Sequence, residues 1–354
     1  MMEKLLDYLS LASAKQASDI FVVPGAPVSM KLHRVMTPMD ESKVLPDRSF
    51  ELISQAYELA NRPMDKFLAS GDDDFSFSIP SLARFRTNAY KQRGSCAMVI
   101  RLVAFDIPDW RERNIPESIM DLAELRHGMV LVTGTAGSGK STTEACIIDR
   151  INRSRGCHIV TLEDPIEFLH RDVKSIVSQR EIAIDSLDYL AALRACLRQA
   201  PDVIQVGEMR DTETIKAAMT AAETGHLLMA TLHTKGAVNT IDRIVDVFPG
   251  DMQTQIRVQL SMVLETVVSQ QLLPGIEGGM VPAFEIMHCT SAVRSMIREG
   301  KTPQINNAIS TGAAEGMVSM DQAIFALYRG HRISRDTALA FCDDPDMMKR
   351  KLGI

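Results

Sequence analysis

The run Gly134-Thr135-Ala136-Gly137-Ser138-Gly139-Lys140-Ser141 fits the pattern G-x-x-x-x-G-K-[ST]. Glycines let backbone N–H groups turn inward around phosphate oxygens, and the N-terminus of a following helix adds its dipole. The context matches: the apolar run Met129–Thr133 precedes the motif, and Thr142–Ile151 reads as helix. The spacing predicts that Gly134–Thr142 cradles phosphate, that Lys140 reaches the β- and γ-phosphates of a nucleotide, and that Ser141 ligates Mg²⁺.

Acids end two apolar runs elsewhere. Glu163 and Asp164 close Cys157–Leu162, and Glu208 closes Val203–Val206 after Gly207. Ligands of open α/β sheets lie beyond the carboxyl ends of the strands, so both runs aim an acid at one place. Two carboxylates near one metal can divide the labour. Glu163 is expected to orient the attacking water, and Glu208 to support Mg²⁺. His226 and His233 flank a third run, Leu227–Leu232. As a strand this run separates them by about 23 Å, so both cannot touch one phosphate. His233 lies at the carboxyl end and is expected to sense the γ-phosphate. His226 lies at the other end, where a subunit contact or a structural hydrogen bond fits.

The elements that must hold these residues divide the chain. An amphipathic helix is predicted over 3–18, a strand over Ile20–Val23, helix from Ser49 to Ala69, and a turn at Gly71–Asp74. Strands at Phe75–Ile79, Arg84–Tyr90 and Cys96–Val103 complete a small α+β domain. Two prolines between Asp106 and Pro116 suggest a linker. From about 117, short apolar runs alternate with helical segments, as in a mostly parallel sheet covered on both faces. After Pro282 the pattern turns helical. The expected organisation is α/β overall: a domain over 1–105, a linker over 106–116, a P-loop core over 117–285 and a helical subdomain over 286–354.

Bulk properties narrow the function. Among 354 residues the hydrophobic share is 45%, which supports packed cores, and the net charge of -6 argues against direct nucleic-acid binding through a basic surface. No stretch has the ~18 apolar residues a membrane helix needs. The first residues, from Met1 to Asp7, carry acids and do not read as a signal peptide. The six cysteines form no C-x-x-C pair, which fits a reducing cytosol.

Taken together, Gly134–Thr142, Thr161–Phe168, Val203–Asp211 and Thr224–Thr234 resemble the Walker A, Asp, Walker B and His boxes of secretion-type hexameric ATPases. Thr240–Pro249 and Ser291–Glu299 are similar to further segments of the type IV pilus retraction ATPases, the second to their C-terminal retraction motif. The resemblance runs from about residue 5 to 340. Ala136, Gln205 and Phe21 depart from it, Gln205 by placing an amide in a normally apolar strand. Extension and type II secretion relatives usually carry a tetracysteine zinc module after the His box. The stretch 270–279 has no Cys, which favours retraction. A non-hydrolysing regulatory partner is disfavoured by intact Lys140, Glu163, Glu208 and His233.

The resemblance implies a PAS-like N-terminal domain, a RecA-like P-loop ATPase domain with C-terminal helices, ATP and Mg²⁺ as ligands, and a homohexamer. It also implies an inner-membrane pilus platform protein as partner, with membrane association only through partners, at the cytoplasmic face of the inner membrane. It further implies N-domain arginines on the nucleotide. Arg84, Arg86, Asn88 and Tyr90 share one strand face, and Arg93 sits at the following hairpin tip, which suits phosphate. Arg194 and Arg198, at i and i+4, are expected to pair acids or bridge subunits. In 291–299, Ala292, Met296 and Ile297 form the expected apolar side, with Arg294, Arg298 and Glu299 more exposed.

Overall fold

The computed structural model describes residues 4–32, 35–80, 82–103 and 107–353. The expectations on Met1–Glu3 and on the boundary at Phe105 and Asp106 lie outside the described residues. The chain divides into two compact units, Met1–Asp106 with Ile166–Leu169, and Ile107–Pro165 with His170–Ile354.

Among the described residues, the first unit is one antiparallel sheet with three helices. Its strands are β1 (Asp19–Val22), β2 (Ser29–Leu32), β3 (Val35–Pro38), β4 (Asp72–Ile79), β5 (Ala83–Gln92) and β6 (Ser95–Val103), in the order β3-β2-β1-β6-β5-β4. Its helices are α1 (Leu5–Ala14), α2 (Pro46–Leu59) and α3 (Asp65–Ser70). Strands β2 and β3 are absent from the sequence reading because each has four residues and β3 is an exposed edge, so neither shows a clear alternation. The helical pattern expected over Ser49–Ala69 resolves into two helices. Pro63 lacks an N–H and disfavours helix before it, and Asn61 is left-handed.

The turn expected at Gly71–Asp74 shrinks to Gly71, which ends α3 with φ 86°. Asp72–Asp74 are strand, because Asp73 points inward and is fully satisfied there. Its carboxylate accepts hydrogen bonds from Tyr57 Oη and from two guanidinium nitrogens of Arg62, each at 3.1 Å, and Lys66 Nζ lies at 2.8 Å. Burial alone would raise this carboxyl, but Lys66, Arg62 and Tyr57 hold it below the usual carboxylate range.

The second unit is a seven-stranded sheet. Its strands are β7 (Gly128–Thr133), β8 (His158–Glu163), β9 (Ile176–Glu181), β10 (Val203–Val206), β11 (Leu227–Leu232), β12 (Leu264–Pro274) and β13 (Met280–His288), in the order β13-β12-β7-β11-β10-β8-β9. All pairings are parallel except β12 with β13. Every residue of β7, β10 and β11 is buried, as covering on both faces requires. Gln205 in β10 is tolerated because its amide donates to buried Glu144 Oε2 at 3.1 Å. The helical reading after Pro282 is overturned by β13, which runs to His288 against β12. Strand β9 escaped notice as a largely polar edge.

Among the described residues, eleven α-helices accompany this sheet: α4 (Glu117–Met120), α5 (Lys140–Ser154), α6 (Tyr189–Cys196), α7 (Thr212–Glu223), α8 (Ala237–Asp246), α9 (Gly250–Val263), α10 (Ser291–Arg298), α11 (Ile305–Thr311), α12 (Met320–Arg329), α13 (Arg335–Phe341) and α14 (Pro345–Leu352). The stretch from Ile107 belongs to this unit: Ile115 is buried among Ile119, Met120 and Ile148, and Trp110 packs on the same cluster. Helix α6 stops at Cys196, so Arg198 falls past its end and bonds the Arg194 carbonyl instead of sharing its face.

The expected faces of α10 need correction. Val293 and Ile297 are fully buried, whereas Ala292 is exposed. Arg294 is half-buried and caps α9, donating to the carbonyls of Ser261 and Met262 at 2.8 and 3.1 Å and to Glu265 Oε1 at 2.8 Å. Ile297 is therefore core, and a dedicated coupling role for it does not follow from this packing.

Two outcomes follow for stability. Ile297→Ala lowers stability by about 2–5 kcal/mol, the range for a truncated buried aliphatic, and an unchanged thermal melt would contradict its core placement. Asp73 stabilises the first unit above its unfolded value near 3.8, and that contribution is lost as pH falls through the lower folded value. Asp73→Asn at neutral pH leaves two cations facing a neutral group and costs about 3 kcal/mol. Circular dichroism melts at neutral pH that match for both proteins would refute the cluster's role.

Candidate active site

The parallel strands deliver their carboxyl ends to one edge of the sheet. Thr133 of β7 pairs with Leu232 of β11, and Val206 of β10 pairs with both Ala230 of β11 and Leu162 of β8. The residues that follow are Gly134, His233, Gly207 with Glu208, and Glu163. The sheet thus brings four sequence-predicted positions side by side.

The phosphate loop spans Gly134–Gly139 and enters α5 at Lys140. Gly134, Gly137 and Gly139 have φ of 144°, 76° and 93°. A Cβ on Gly134 would collide with the Gln270 carbonyl of β12, and one on Gly139 would stand 2.7 Å from Gln270 Nε2. Only glycine lets the loop close here. Thr135, Ala136 and Gly137 form its exposed tip, while Ser141 and Thr142 begin the helix half-buried. Ser138 Oγ is buried and finds no hydrogen-bond partner among the described residues. A closed cradle with an orphaned hydroxyl fits a bound phosphate group, which would supply the missing acceptor.

Lys140 Nζ donates to the carbonyls of Gly134 and Thr135 at 2.9 and 3.1 Å and lies 3.4 Å from His233 Nδ1. An ammonium only donates, so Nδ1 is the acceptor and Nε2 carries the proton. Nε2 in turn faces Glu208 Oε1 at 3.3 Å, and Arg210 Nε holds that oxygen at 2.6 Å. Lys140, His233, Glu208 and Arg210 form one continuous chain. Burial would raise the Glu208 carboxyl, but Arg210 and His233 hold it below its ordinary value, so it is ionised at neutral pH.

Glu163 Oε1 accepts hydrogen bonds from Thr161 Oγ1 at 2.5 Å and Gln179 Nε2 at 3.1 Å. Gly207 lets the two acid-bearing strand ends approach: its N–H bonds Leu162 O at 2.7 Å, and a Cβ there would stand 2.9 Å from the Tyr189 hydroxyl. Burial, together with the charges of Asp164, Glu208 and Glu163, pushes that hydroxyl up, so Tyr189 stays neutral among the acids. Asp211 fixes the exit of this segment by capping α7 through Thr214 N at 2.8 Å.

Other predicted residues stand elsewhere. His226 Nδ1 is engaged with the Ala221 carbonyl at 2.9 Å before β11, a structural hydrogen bond within its unit. Arg84, Arg86 and Arg93 belong to the first unit. Arg84 and Arg86 are half-buried on one face of β5, and Arg93 is at the β5–β6 hairpin tip with φ 48°. Arg86 stands opposite Arg101 across β5 and β6, and Asp19 offsets that pair by bonding Arg101 at 3.0 Å.

Sequence reasoning missed Arg101, Tyr189 and Gln270. Gln270 is 3% exposed and accepts from Thr143 Oγ1 at 2.8 Å, bracing the first turn of α5. Its signal was available: Ser269-Gln270-Gln271 interrupts the apolar run Val267-Val268 … Leu272-Leu273.

Comparison with known proteins agrees with this geometry. The chain is 40% identical over 338 residues to the type IV pilus retraction ATPase PilT of Pseudomonas aeruginosa, covering 94% of this chain and 96% of PilT. It is 35% identical over 353 residues to the type IV pilus ATPase PilU of the same organism, covering 99% and 91%. A crystal structure of the pilus retraction motor PilT with bound ADP matches with a TM-score of 0.89 at 40% identity, covering 99% of this chain and 100% of that one. A family model described as "Type II/IV secretion system protein" matches residues 1–314. This chain has a mixed α/β fold that includes a RecA-like ATPase domain, and it is a member of the type II/IV secretion system protein family.

Proposed function

We propose that this chain hydrolyses ATP with Mg²⁺ and uses the cycle to retract a type IV pilus. The observation that carries this reading is the chain Lys140–His233–Glu208 beside a loop that only glycine can form, in a protein so similar to a retraction ATPase along its whole length. Lys140 holds the β- and γ-phosphates of ATP, and the N–H groups of Gly134–Thr142 surround them. His233, placed between Lys140 and Glu208, senses the γ-phosphate. Glu163 orients the attacking water, and its bonds from Thr161 and Gln179 fix the carboxylate for that task. Ser141 and Glu208 are the residues to hold Mg²⁺, which when bound neutralises charge on the phosphate oxygens.

Arg84, Arg86 and Arg93 add guanidinium charge to the phosphates within a homohexameric ring. Such a ring closes heterologous interfaces without an open filament. The partner of the ring is an inner-membrane pilus platform protein, met at the cytoplasmic face. No helix among the described residues is long and apolar enough to cross a membrane.

Lys140→Ala abolishes phosphate release, and a rate equal to wild type would sink the assignment. Glu163→Gln binds ATP normally but turns over at least ~100-fold more slowly, the scale of lost general-base assistance. Near wild-type turnover would instead give the water-orienting role to another residue. Light scattering at micromolar protein with ATP gives about six times the 39.1 kDa chain mass, whereas a stable monomer would refute the ring.

A further inference from the structure

The ribbon of β12 and β13 touches separate parts of the second unit at neighbouring residues. Gln270 braces α5 at the phosphate loop. Ser269 Oγ accepts the N–H of Gly236 at 2.8 Å. Opposite Ser269 in the register stands Glu285, which is 6% exposed. Its Oε1 accepts the N–H of Ala237 at 2.7 Å, and its Oε2 accepts the N–H of Met320 at 3.4 Å. Ala237 opens α8, four residues after His233. Met320 opens α12, the first of the last three helices. One buried carboxylate therefore ties a helix that continues from the His233 strand to the C-terminal helices.

The two bonds are not equivalent. The N-cap of α8 is Gly236, which has no side chain to offer, so Glu285 supplies the acceptor that the helix end needs. Helix α12 already has a complete capping box from Ser319 and Gln322, so it does not need Glu285 to begin. The bond to Met320 is also the longer one, and a small displacement of α8 would break it first. A cavity of about 340 Å³ lies beside the carboxylate, lined by Lys235, Asn239, Gln271, Asn306 and Asp343 among others, so apolar packing does not lock it on that side.

We propose that Glu285 is the joint that passes the state of the phosphate site to the C-terminal helices. Nucleotide that repositions His233 shifts Thr234–Ala237, and the shared carboxylate then makes or loses its bond to Met320. Glu285 is a positioning residue with no bond to the phosphate loop. The inference rests on nucleotide binding at Gly134–Gly139.

Hydrogen exchange on the full chain, with and without a non-hydrolysable ATP analogue, tests it, alongside titration with a fluorescent ADP analogue. Glu285→Gln keeps the side-chain volume and one carbonyl acceptor but loses the second acceptor. In wild type, nucleotide changes exchange of the Met320 amide at least about tenfold, the scale of one hydrogen bond. In Glu285→Gln that response disappears while the affinity for the ADP analogue is kept. An unresponsive α12 in wild type, or the same response in both proteins, overturns the proposal. Should the variant not fold, wild type alone decides: the amides of Ala237 and Met320 must respond together, and a response at Ala237 alone overturns the joint. Failure of wild type to bind the ADP analogue overturns both this inference and the proposed function, and the titration separates that result from the others.

Discussion

The parallel register of β7, β11, β10 and β8 is the constraint on which the site depends. Each strand presents a site residue at its carboxyl end, Gly134, His233, Glu208 or Glu163, and the pairing of Thr133 with Leu232 and of Val206 with Ala230 and Leu162 sets how far each one projects. A slip of one residue would turn His233 or Glu208 to the opposite face of the sheet. Burial on both faces prevents such a slip, because it would exchange the two buried faces of a strand packed on both sides. The contacts of His233 with Lys140 and Glu208 are thus a consequence of apolar packing some distance away.

Polar residues inside this sheet serve the loop at its edge. A buried amide or carboxylate without a partner costs several kcal/mol, so its presence in a strand calls for a counterpart. Gln205 meets Glu144 from α5, Gln270 meets Thr143 one residue earlier in the same helix, and Ser269 meets Gly236. Two of these bonds attach the phosphate-loop helix to strands on either side of it, β10 and β12. The loop is held by its own glycines and also by side chains from neighbouring strands. This makes its geometry a property of the whole sheet.

Much of the site was legible in the sequence because its signals are local. The glycine spacing of 134–139, an acid after an apolar run, and His233 at the end of Leu227–Leu232 each state chemistry and position together. The alternation in Arg84–Tyr90 likewise separates a buried face from a half-buried one, as β5 shows. Long-range partners were not legible. The role of Gln270 depends on β12 lying beside β7, and the pairing of Asp73 with Arg62 and Lys66 depends on α3 folding against β4. The short edge strands β2 and β3 exist through pairing more than through pattern. The amphipathic reading of α10 placed Ala292 inside and Arg294 outside, but the carbonyls at the end of α9 draw the guanidinium inward.

The most direct measurement replaces the wild-type chain in a piliated host with Glu163→Gln and follows labelled pili on living cells. Hydrolysis-driven retraction predicts cells that bear surplus pili which extend and do not shorten. Cells without surface pili would contradict it and make the chain an extension motor, and pili that shorten at the normal rate would show that its ATP hydrolysis does not power retraction.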